Sequence, residues 1–275
     1  IEDRRKKMKK IILLICLFLG FSLTGCQSSD DANTLTVAAT SKPHGDILEE
    51  AKNILKKDYD IDLKIEILDD YYIFNRSLDN GDVDANYFQH LPFFEDDVEK
   101  NGYDIVNAGG IHIEPFGFYS KKIDDISELK KNDVVIISNS VADHGRILSI
   151  LDTAGIIELD DNVKIQEATI EDIVANPLNL KFEEIKPEML TTAYQNNEGA
   201  MVAINGNYAI DANLNPTKDA LLLESANENN PYVNIIACKD ENDERVKALV
   251  AVLKSDQIKK FINDTYQDGS VIPVV

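Results

Sequence analysis

The sequence is poor in the residues that define several classes of protein. Its 275 residues include no Trp, three Cys, 13 Gly and eight Pro. So few cysteines exclude a disulfide-stabilised scaffold, and the Gly and Pro contents exclude collagen-like and low-complexity chains. Cationic residues are also scarce, with 28 Lys and Arg against 49 Asp and Glu and a net charge of −21. Nonspecific binding to nucleic acid is therefore excluded, because too few cations are present to neutralise a run of phosphates.

The remaining composition is that of a globular protein, but its charge is unevenly distributed. Hydrophobic residues make up 44% and charged residues 28%, and the length suits two domains or one large α/β domain. The first 25 residues hold six cationic side chains against two acidic ones, a net charge of +4, which leaves −25 for the rest. A basic head on an acidic body predicts a targeting segment.

The N-terminal segment has the parts of a secretory signal. Lys9 and Lys10 precede an apolar run of 11 residues, 11–21, which is too short for the roughly 20 residues that span a bilayer. We therefore predict a signal peptide over residues 1–25. Met8 is a more natural start than Ile1, so we expect residues 1–7 to be an upstream extension.

The end of this segment, Leu23-Thr24-Gly25-Cys26, resembles a bacterial lipobox. The resemblance implies cleavage before Cys26, diacylation of its thiol and acylation of its new amino group by chains such as palmitate. Each buried methylene contributes about 0.8 kcal/mol, so two or three chains make a durable anchor. We expect a lipoprotein on the extracytoplasmic face of a cell membrane, with residues 26–33 as the lipidated cysteine and its tether.

Strand-like and helix-like segments alternate along the body. A β-type run at residues 35–39, a compact segment at 83–87 and an apolar run at 134–138 predict strands, and each is followed by a segment with helical spacing. Residues 172–176 predict a further short helix before Pro177. The pattern predicts an α/β protein of two lobes, each a mixed, largely parallel sheet flanked by helices. Neither GxxxxGK[ST] nor GxGxxG occurs, so nucleotide chemistry has no support.

Polar and aromatic residues follow the apolar strands at four places. In open α/β sheets, ligands bind beyond the carboxyl ends of the strands. The four segments are residues 84–90 (DANYFQH), 111–115 (IHIEP), 143–146 (DHGR) and 204–209 (INGNYA). They are the candidate ligand-binding segments.

These motifs resemble those of the NlpA-type, methionine-binding lipoprotein family of ABC-importer substrate-binding proteins. The matching residues are 82–90, 112–115, 176–177, 179–181 and 204–209, with Asp70-Tyr71 as a further position. They occur in order over nearly the whole chain from about residue 35. The resemblance implies a periplasmic-binding-protein-like fold of type II, in which a cleft between two lobes encloses a free amino acid, usually L-methionine. It also implies delivery to an ABC permease and its ATPase.

The resemblance implies a role for each candidate residue. Arg146 would bind the ligand carboxylate, and Asn205 and Asn176 would hydrogen-bond its amino-acid head group. Glu114 would pair with the α-ammonium or brace the residues around it. The aromatic wall around the ligand side chain would consist of Tyr71, Tyr87, Phe88, His90 and His112.

The chemistry of these residue types suits the implied roles. The planar fork of Arg pairs with a carboxylate through two hydrogen bonds, and a helix N-terminus near Arg146 favours an anion. A thioether gains about 0.3–1.5 kcal/mol against each aromatic edge. Tyr87 and Phe88 alternate on a strand, so one of them faces the core, and we expect this residue to be Phe88.

The body should divide into two discontinuous lobes. We assign residues 34–119 and 233–275 to the first lobe and residues 120–232 to the second. The chain should cross between the lobes near residues 118–122 and return near residues 230–235. Because Arg146, Asn176 and Asn205 come from the second lobe and the aromatic residues from the first, neither lobe alone completes the pocket.

Two other functions remain as alternatives. His112 and Glu114 share one face of a strand and could bind zinc, although the four His of the chain lack a compact metal motif. A surface-anchored hydrolase would need Ser138, Asp143 and His144, but no nucleophile elbow accompanies them. We therefore expect no enzymatic activity, no cofactor and no bound metal, with a zinc receptor of an ABC importer as the alternative function.

The loop before Arg146 departs from the family pattern. Relatives carry a Pro-Asn-Asp run and an Asn-Glu pair there, whereas residues 138–146 of this chain are SNSVADHGR. This loop should face the ligand. Another apolar amino acid, a methionine derivative or a small peptide therefore remains open as the ligand.

Overall fold

The computed structural model describes residues 32–225 and 230–274. The predicted signal peptide and the lipidated Cys26 lie outside these residues. Residues 35–275 form one compact unit. Within the described ranges, every helix is too short or too polar to cross a membrane.

Strands and helices alternate through the described residues, as the sequence predicts. The strands are β1 (Thr34–Ala39), β2 (Asp62–Ile67), β3 (Ala85–His90), β4 (Val106–Ile113), β5 (Gly117–Tyr119), β6 (Val134–Ser138), β7 (Glu158–Leu159), β8 (Ile173–Ala175), β9 (Lys181–Ile185), β10 (Met201–Ile204), β11 (Leu222–Leu223), β12 (Val233–Cys238) and β13 (Ile272–Pro273). The α-helices are α1 (Asp46–Tyr59), α2 (Tyr71–Asn80), α3 (Leu91–Asn101), α4 (Val141–Thr153), α5 (Leu190–Gln195), α6 (Gly206–Asp211), α7 (Pro216–Asp219), α8 (Glu244–Leu253) and α9 (Asp256–Thr265).

Two mixed sheets form the framework of the two lobes. The first sheet has the order β13-β4-β12-β3-β1-β2, and the second has the order β11-β5-β10-β6-β9. β1 runs parallel to β3, and β6 runs parallel to both β9 and β10. The sheets contain more antiparallel pairing than predicted, because β12 lies antiparallel between β3 and β4 and β5 lies antiparallel to β10. These antiparallel strands are the ones at which the chain enters a sheet from the other lobe.

The chain leaves the first sheet earlier than the sequence predicts. β4 ends in the first sheet at Ile113, whereas β5 already pairs with β10 of the second sheet. The connection is therefore residues 114–116, and the predicted crossing at residues 118–122 is wrong. The sequence cannot distinguish a crossing before β5 from one after it, because the residues of a three-residue strand do not indicate which sheet the strand will join. The return lies between β11 and β12, and the remaining lobe boundaries stay a proposal.

The predicted short helix at residues 172–176 is wrong. Residues 173–175 form β8, which pairs antiparallel with β7 as a two-stranded sheet. A 3₁₀ turn at Ile170–Asp172 precedes this strand. The β-branched side chains of Ile173 and Val174 favour an extended backbone once a partner strand is available, which explains the difference.

Helix α4 carries residues of the candidate site and packs closely on the segment that follows it. Its residues Ile147, Leu148 and Leu151 have no exposed surface and form part of the second-lobe core. Gly145 faces the 3₁₀ turn at Ile165–Glu167, where an added Cβ would lie 1.7 Å from the carbonyl oxygen of Ile165. Only glycine fits, because the obstacle is backbone that cannot rotate away.

Replacing this glycine should destabilise the protein without any change of charge. We expect Gly145→Ala to lower the free energy of unfolding by about 1–3 kcal/mol or more, the usual cost of overpacking. Urea unfolding of the purified protein measures the effect. Ser149→Ala on the same helix is the control and should change stability by less than about 0.5 kcal/mol. Equal stability of the two variants would contradict the close contact.

Candidate functional site

A cleft between the two lobes gathers most of the candidate residues. It lies where β3 runs into α3, where the chain leaves β4, and where β10 runs into α6, with α4 on one side. Its walls are formed by Tyr71, Phe88, Gln89, His90, Phe93, Glu114, Arg146, Asn205, Gly206, Asn207 and Asn234. The carboxyl ends of β3 and β10 therefore place the ligand-binding segments together, as the rule for open α/β sheets predicts.

Arg146 is a buried cation whose fork is already paired within the protein. Its Nε and Nη2 donate to the two carboxylate oxygens of Glu224 at 3.2 and 2.5 Å, and Nη2 also donates to the carbonyl oxygen of Glu114 at 2.8 Å. The guanidinium carbon lies 4.4 Å from the centroid of the Tyr232 ring and 5.1 Å from that of Phe116. Within the described ranges, Nη1 is the guanidinium nitrogen without a protein hydrogen bond. A ligand carboxylate would meet this nitrogen rather than the whole fork.

Asn205 offers the complementary group. Its Nδ2 donates to Oδ2 of Asp143 at 3.2 Å, whereas its Oδ1 is buried without a partner among the described residues. An unpaired buried acceptor costs roughly 1–3 kcal/mol. The cleft therefore holds a carbonyl oxygen that is prepared to accept a hydrogen bond from a bound molecule.

His90 and Asp143 join the two lobes at the edge of this site. Nε2 of His90, at the end of β3, lies 2.9 Å from Oδ1 of Asp143 on α4. Both residues are buried, with 8% and 1% of their surface exposed. Burial alone would raise the pKa of Asp143, but the hydrogen bonds from His90 and Asn205 and the nearby charge of Arg146 outweigh it and hold that pKa below its ordinary value. Asp143 is therefore ionised at neutral pH.

Two tyrosines form a second contact between the lobes. The Tyr71 hydroxyl donates to Oδ1 of Asn207 at 2.5 Å, and the Tyr208 hydroxyl donates to the carbonyl oxygen of Asp69 at 2.6 Å. The rings of Tyr71 and Tyr208 stack with their centroids 5.0 Å apart. Together with the His90–Asp143 pair, these contacts hold the lobes together across the cleft.

Glu114 stands in front of a buried group of histidines. Its Oε1 accepts from Nε2 of His112 at 2.7 Å and lies 3.4 Å from Nε2 of His44. Burial raises the pKa of Glu114, and it lowers the pKa of His44 to about 4 and that of His112 to about 3. Gly206 makes the approach possible, since an added Cβ there would lie 2.6 Å from Cβ of Glu114.

His44, His112 and Glu114 are also the described residues whose ligand atoms lie close enough together for a metal ion, within 4.8 Å. Each ring nitrogen already has a protein partner, however. His44 contacts Thr40 and Asn234, and His112 contacts the Tyr87 hydroxyl and Glu114. A metal would have to replace these hydrogen bonds, so the donor set fits a neutral network better than a zinc site.

Three candidate residues lie away from the cleft. Tyr87 and His112 are fully buried and hydrogen-bonded to each other behind Glu114, while Phe88 lines the cleft. Both residues of the pair pack in the core, Tyr87 with no exposed surface and Phe88 with 4%, and Phe88 is the one that also reaches the cleft. Asn176 bonds both its side-chain oxygen and its amide to the backbone of Leu180 and closes a turn after β8. Tyr71, Phe88, His90, Glu114, Arg146 and Asn205 do line the cleft.

The residues named for a hydrolase are not arranged for one. Nε2 of His144 lies 2.9 Å from the carbonyl oxygen of Ser138, and the Ser138 hydroxyl accepts from the backbone N–H of Ser140. Asp143 contacts His90 and Asn205 instead of His144. Ser138 and His144 therefore hydrogen-bond backbone groups just before α4, and Asp143 holds two residues that line the cleft.

Sequence reasoning missed three important contributors. Glu224 lies 78 residues after Arg146 and reaches it only through the fold. Tyr232 covers the guanidinium from the return segment. Asn207 stood in a matched motif but received no role. A single sequence carries no signal for the first two, whereas the conspicuous Asn-Gly-Asn run could have indicated the third.

Two mixed α/β lobes around one polar cleft define a two-lobed solute-binding protein of the periplasmic-binding-protein type. The resemblance of its motifs is confirmed, and the chain belongs to the NlpA lipoprotein family, whose model matches residues 35–275. The methionine-binding lipoprotein MetQ of Bacillus subtilis is 46% identical over 277 residues, covering 97% of this chain and 99% of that protein. The D-methionine-binding lipoprotein MetQ of Escherichia coli is 32% identical over 268 residues, covering 96% and 98%.

A solved structure extends the comparison to the fold. A nutrient binding protein from Burkholderia cenocepacia bound to methionine superposes with a TM-score of 0.81 at 34% identity. The match covers 88% of this chain and 100% of that one. The predicted fold class is therefore confirmed.

The buried histidines predict a loss of stability in mild acid. The unfolded chain takes up protons near the ordinary pKa of 6.5, whereas folded His44 and His112 resist protonation until about pH 4 and pH 3. As the pH falls from 6.5 towards 4, the free energy of unfolding should drop by up to about 1.4 kcal/mol per pH unit for each histidine. Glu114, whose pKa is raised, opposes this trend but is a single group.

Urea unfolding at several pH values measures this slope. His112→Gln removes one titrating group, so its slope should be shallower than that of the unaltered protein by up to about 1.4 kcal/mol per pH unit. The comparison uses slopes, because the substitution also lowers stability at every pH. Parallel slopes would show that His112 is not the buried neutral group described here.

Proposed function

We propose that this chain is the lipid-anchored receptor of an ABC importer and that it binds a free amino acid, L-methionine first among the candidates, in the cleft between its lobes. The observation that carries the proposal is the pair of unused groups in one cleft. Arg146 Nη1 is a donor for a carboxylate, and Asn205 Oδ1 is an acceptor for an ammonium. An α-amino acid presents these two groups on one carbon.

The side-chain end of the cleft suits an apolar and polarizable group. Tyr71, Phe88 and Phe93 line it, and their rings contact one another with centroids 5.6–5.9 Å apart. A thioether makes favourable contacts with aromatic edges, whereas an anionic side chain would meet the negatively polarised faces of these rings. The methionine-binding names of the relatives support the same ligand.

Transport follows from closure of the two lobes. A ligand that contacts both lobes binds the closed arrangement better than an open one and shifts the population towards it. The closed lobes would then present the cargo to the permease, whose ATPase supplies the energy. Binding and release are the whole reaction on this chain, so the proposal includes no catalytic step, cofactor or resident metal.

The same proposal places the protein on the extracytoplasmic face of the cell membrane. Acylated Cys26 would hold it there, with residues 27–33 as the tether. The lipoprotein names of the family and of its relatives support this location.

Isothermal titration calorimetry with a panel of amino acids tests the proposal. The chain from residue 27 onward suits this experiment, since residues 35–275 form a compact unit. We expect micromolar or tighter binding of L-methionine, weakened at least about tenfold, or about 1.4 kcal/mol, in Arg146→Lys, because a point charge replaces the fork that Glu224 orients. Arg245→Lys, which alters an arginine paired with Asp243 away from the cleft, is the matched control.

The outcome separates the alternatives. No heat with any amino acid, together with tight binding of zinc, would replace the proposal with a metal receptor. Turnover of an ester or a peptide would replace both with an enzyme.

A further inference from the structure

We infer that Asp143 is a positioning residue that determines which head group the cleft accepts. It fixes the amide of Asn205 so that an oxygen faces the ligand, and the cleft therefore selects a primary ammonium over a hydroxyl or an acylated nitrogen. This inference rests on the proposed function and adds the basis of its selectivity.

The argument begins at a backbone amide in the first lobe. The N–H of Phe93, in the first turn of α3, points at Nδ1 of His90 at a distance of 3.1 Å. A backbone N–H can only donate, so Nδ1 of His90 must accept. The proton of the neutral imidazole is then on Nε2.

The second step crosses to the other lobe. Nε2 of His90 donates to Oδ1 of Asp143 at 2.9 Å. Asp143 is 1% exposed, and its pKa lies below the ordinary value because the hydrogen bonds it accepts and the charge of Arg146 outweigh its burial. An ionised carboxylate has only acceptors, so its second oxygen also requires a donor.

The third step fixes Asn205. The side-chain amide could face Asp143 with either end, but only the NH₂ end can donate to a carboxylate oxygen. Nδ2 therefore lies 3.2 Å from Oδ2 of Asp143, and Oδ1 is left as a buried acceptor without a described partner. A bound molecule must bring a donor to this oxygen.

Charge strengthens the same preference. The cation of Arg146 is already balanced by Glu224 at 2.5 Å, so the negative charge of Asp143 is an excess within the cleft. A ligand ammonium would offset this excess and supply the donor for Asn205. A hydroxyl can donate but brings no charge, and an acylated nitrogen is neutral as well as bulkier.

The test compares two ligands that differ only at this position. L-methionine and its α-hydroxy analogue, 2-hydroxy-4-(methylthio)butanoate, share the carboxylate and the thioether. We expect the unaltered protein to prefer methionine by about a hundredfold or more, since the hydroxy analogue leaves the buried charge of Asp143 without a counter-charge. Asp143→Asn can donate as well as accept, which allows the Asn205 amide to turn over, so this preference should fall at least about tenfold.

The ratio of the two dissociation constants separates positioning from a structural role. If Asp143 served only to hold the lobes together, its substitution would weaken both ligands by the same factor and leave the ratio unchanged, which would overturn the inference. Asp84→Asn is the control, because that carboxylate bonds Thr36 and Arg245 at the other end of β3. Its ratio should equal that of the unaltered protein.

One further variant keeps the outcome decisive. If Asp143→Asn fails to fold, Asp143→Ser removes the charge within a smaller volume and should reduce the ratio in the same way. If the unaltered protein binds neither ligand, the proposed function itself fails. Binding of methionine with an unchanged ratio in both variants would reject the inference alone.

Discussion

The ion pair between Arg146 and Glu224 organises the cleft and both connections between the lobes. A buried guanidinium is costly unless its charge and its hydrogen bonds are satisfied, and each connection supplies part of what it needs. Residues 114–116 provide the Glu114 carbonyl oxygen and the Phe116 ring. The return segment provides the Glu224 carboxylate and the Tyr232 ring. One cation on α4 thus fixes both of the places where the chain passes from one sheet to the other.

The groups behind the cleft divide into a neutral half and a charged half. His44 and His112 are fully buried on the first-lobe side and have lowered pKa values, so they remain uncharged. His112 hydrogen-bonds Glu114, and His44 hydrogen-bonds Thr40 and Asn234 beside it. Asp143 lies at the junction of the lobes and keeps its charge because His90 and Asn205 donate to it. Burial disfavours the charged form of all three groups. The histidines are neutral for this reason, whereas Asp143 stays ionised because hydrogen-bond donors reach its carboxylate.

The sequence indicates the segments of the site better than the direction of their side chains. Arg146 and Asn205 are predictable because polar residues directly after apolar strands are conspicuous. Tyr87 and Phe88 show the limit, since strand alternation predicts that they point to opposite faces but not which face meets the cleft. Packing decides it: Phe88 stacks on Phe74 with ring centroids 4.0 Å apart and still lines the cleft, while Tyr87 turns to His112. Glu224 and the sheet that β5 joins depend on contacts between distant parts of the chain, which local patterns do not carry.

The proposed ligand contacts are divided between the lobes in a way that explains why binding should close them. Both head-group partners follow strands of the second sheet, Arg146 on α4 after β6 and Asn205 directly after β10. The aromatic rings of Tyr71, Phe88 and Phe93 lie on α2, β3 and α3, around a strand of the first sheet. A ligand held by one lobe alone would leave either its charges or its apolar side chain in water. A closed state therefore binds the ligand more tightly than one lobe alone, by the contribution of whichever end of the ligand would otherwise remain in water. Only such a difference in affinity shifts a conformational population. The hydrogen bonds of Tyr71 to Asn207 and of His90 to Asp143 also join the two lobes, so they would add to the stability of a closed arrangement without needing to bind the ligand themselves.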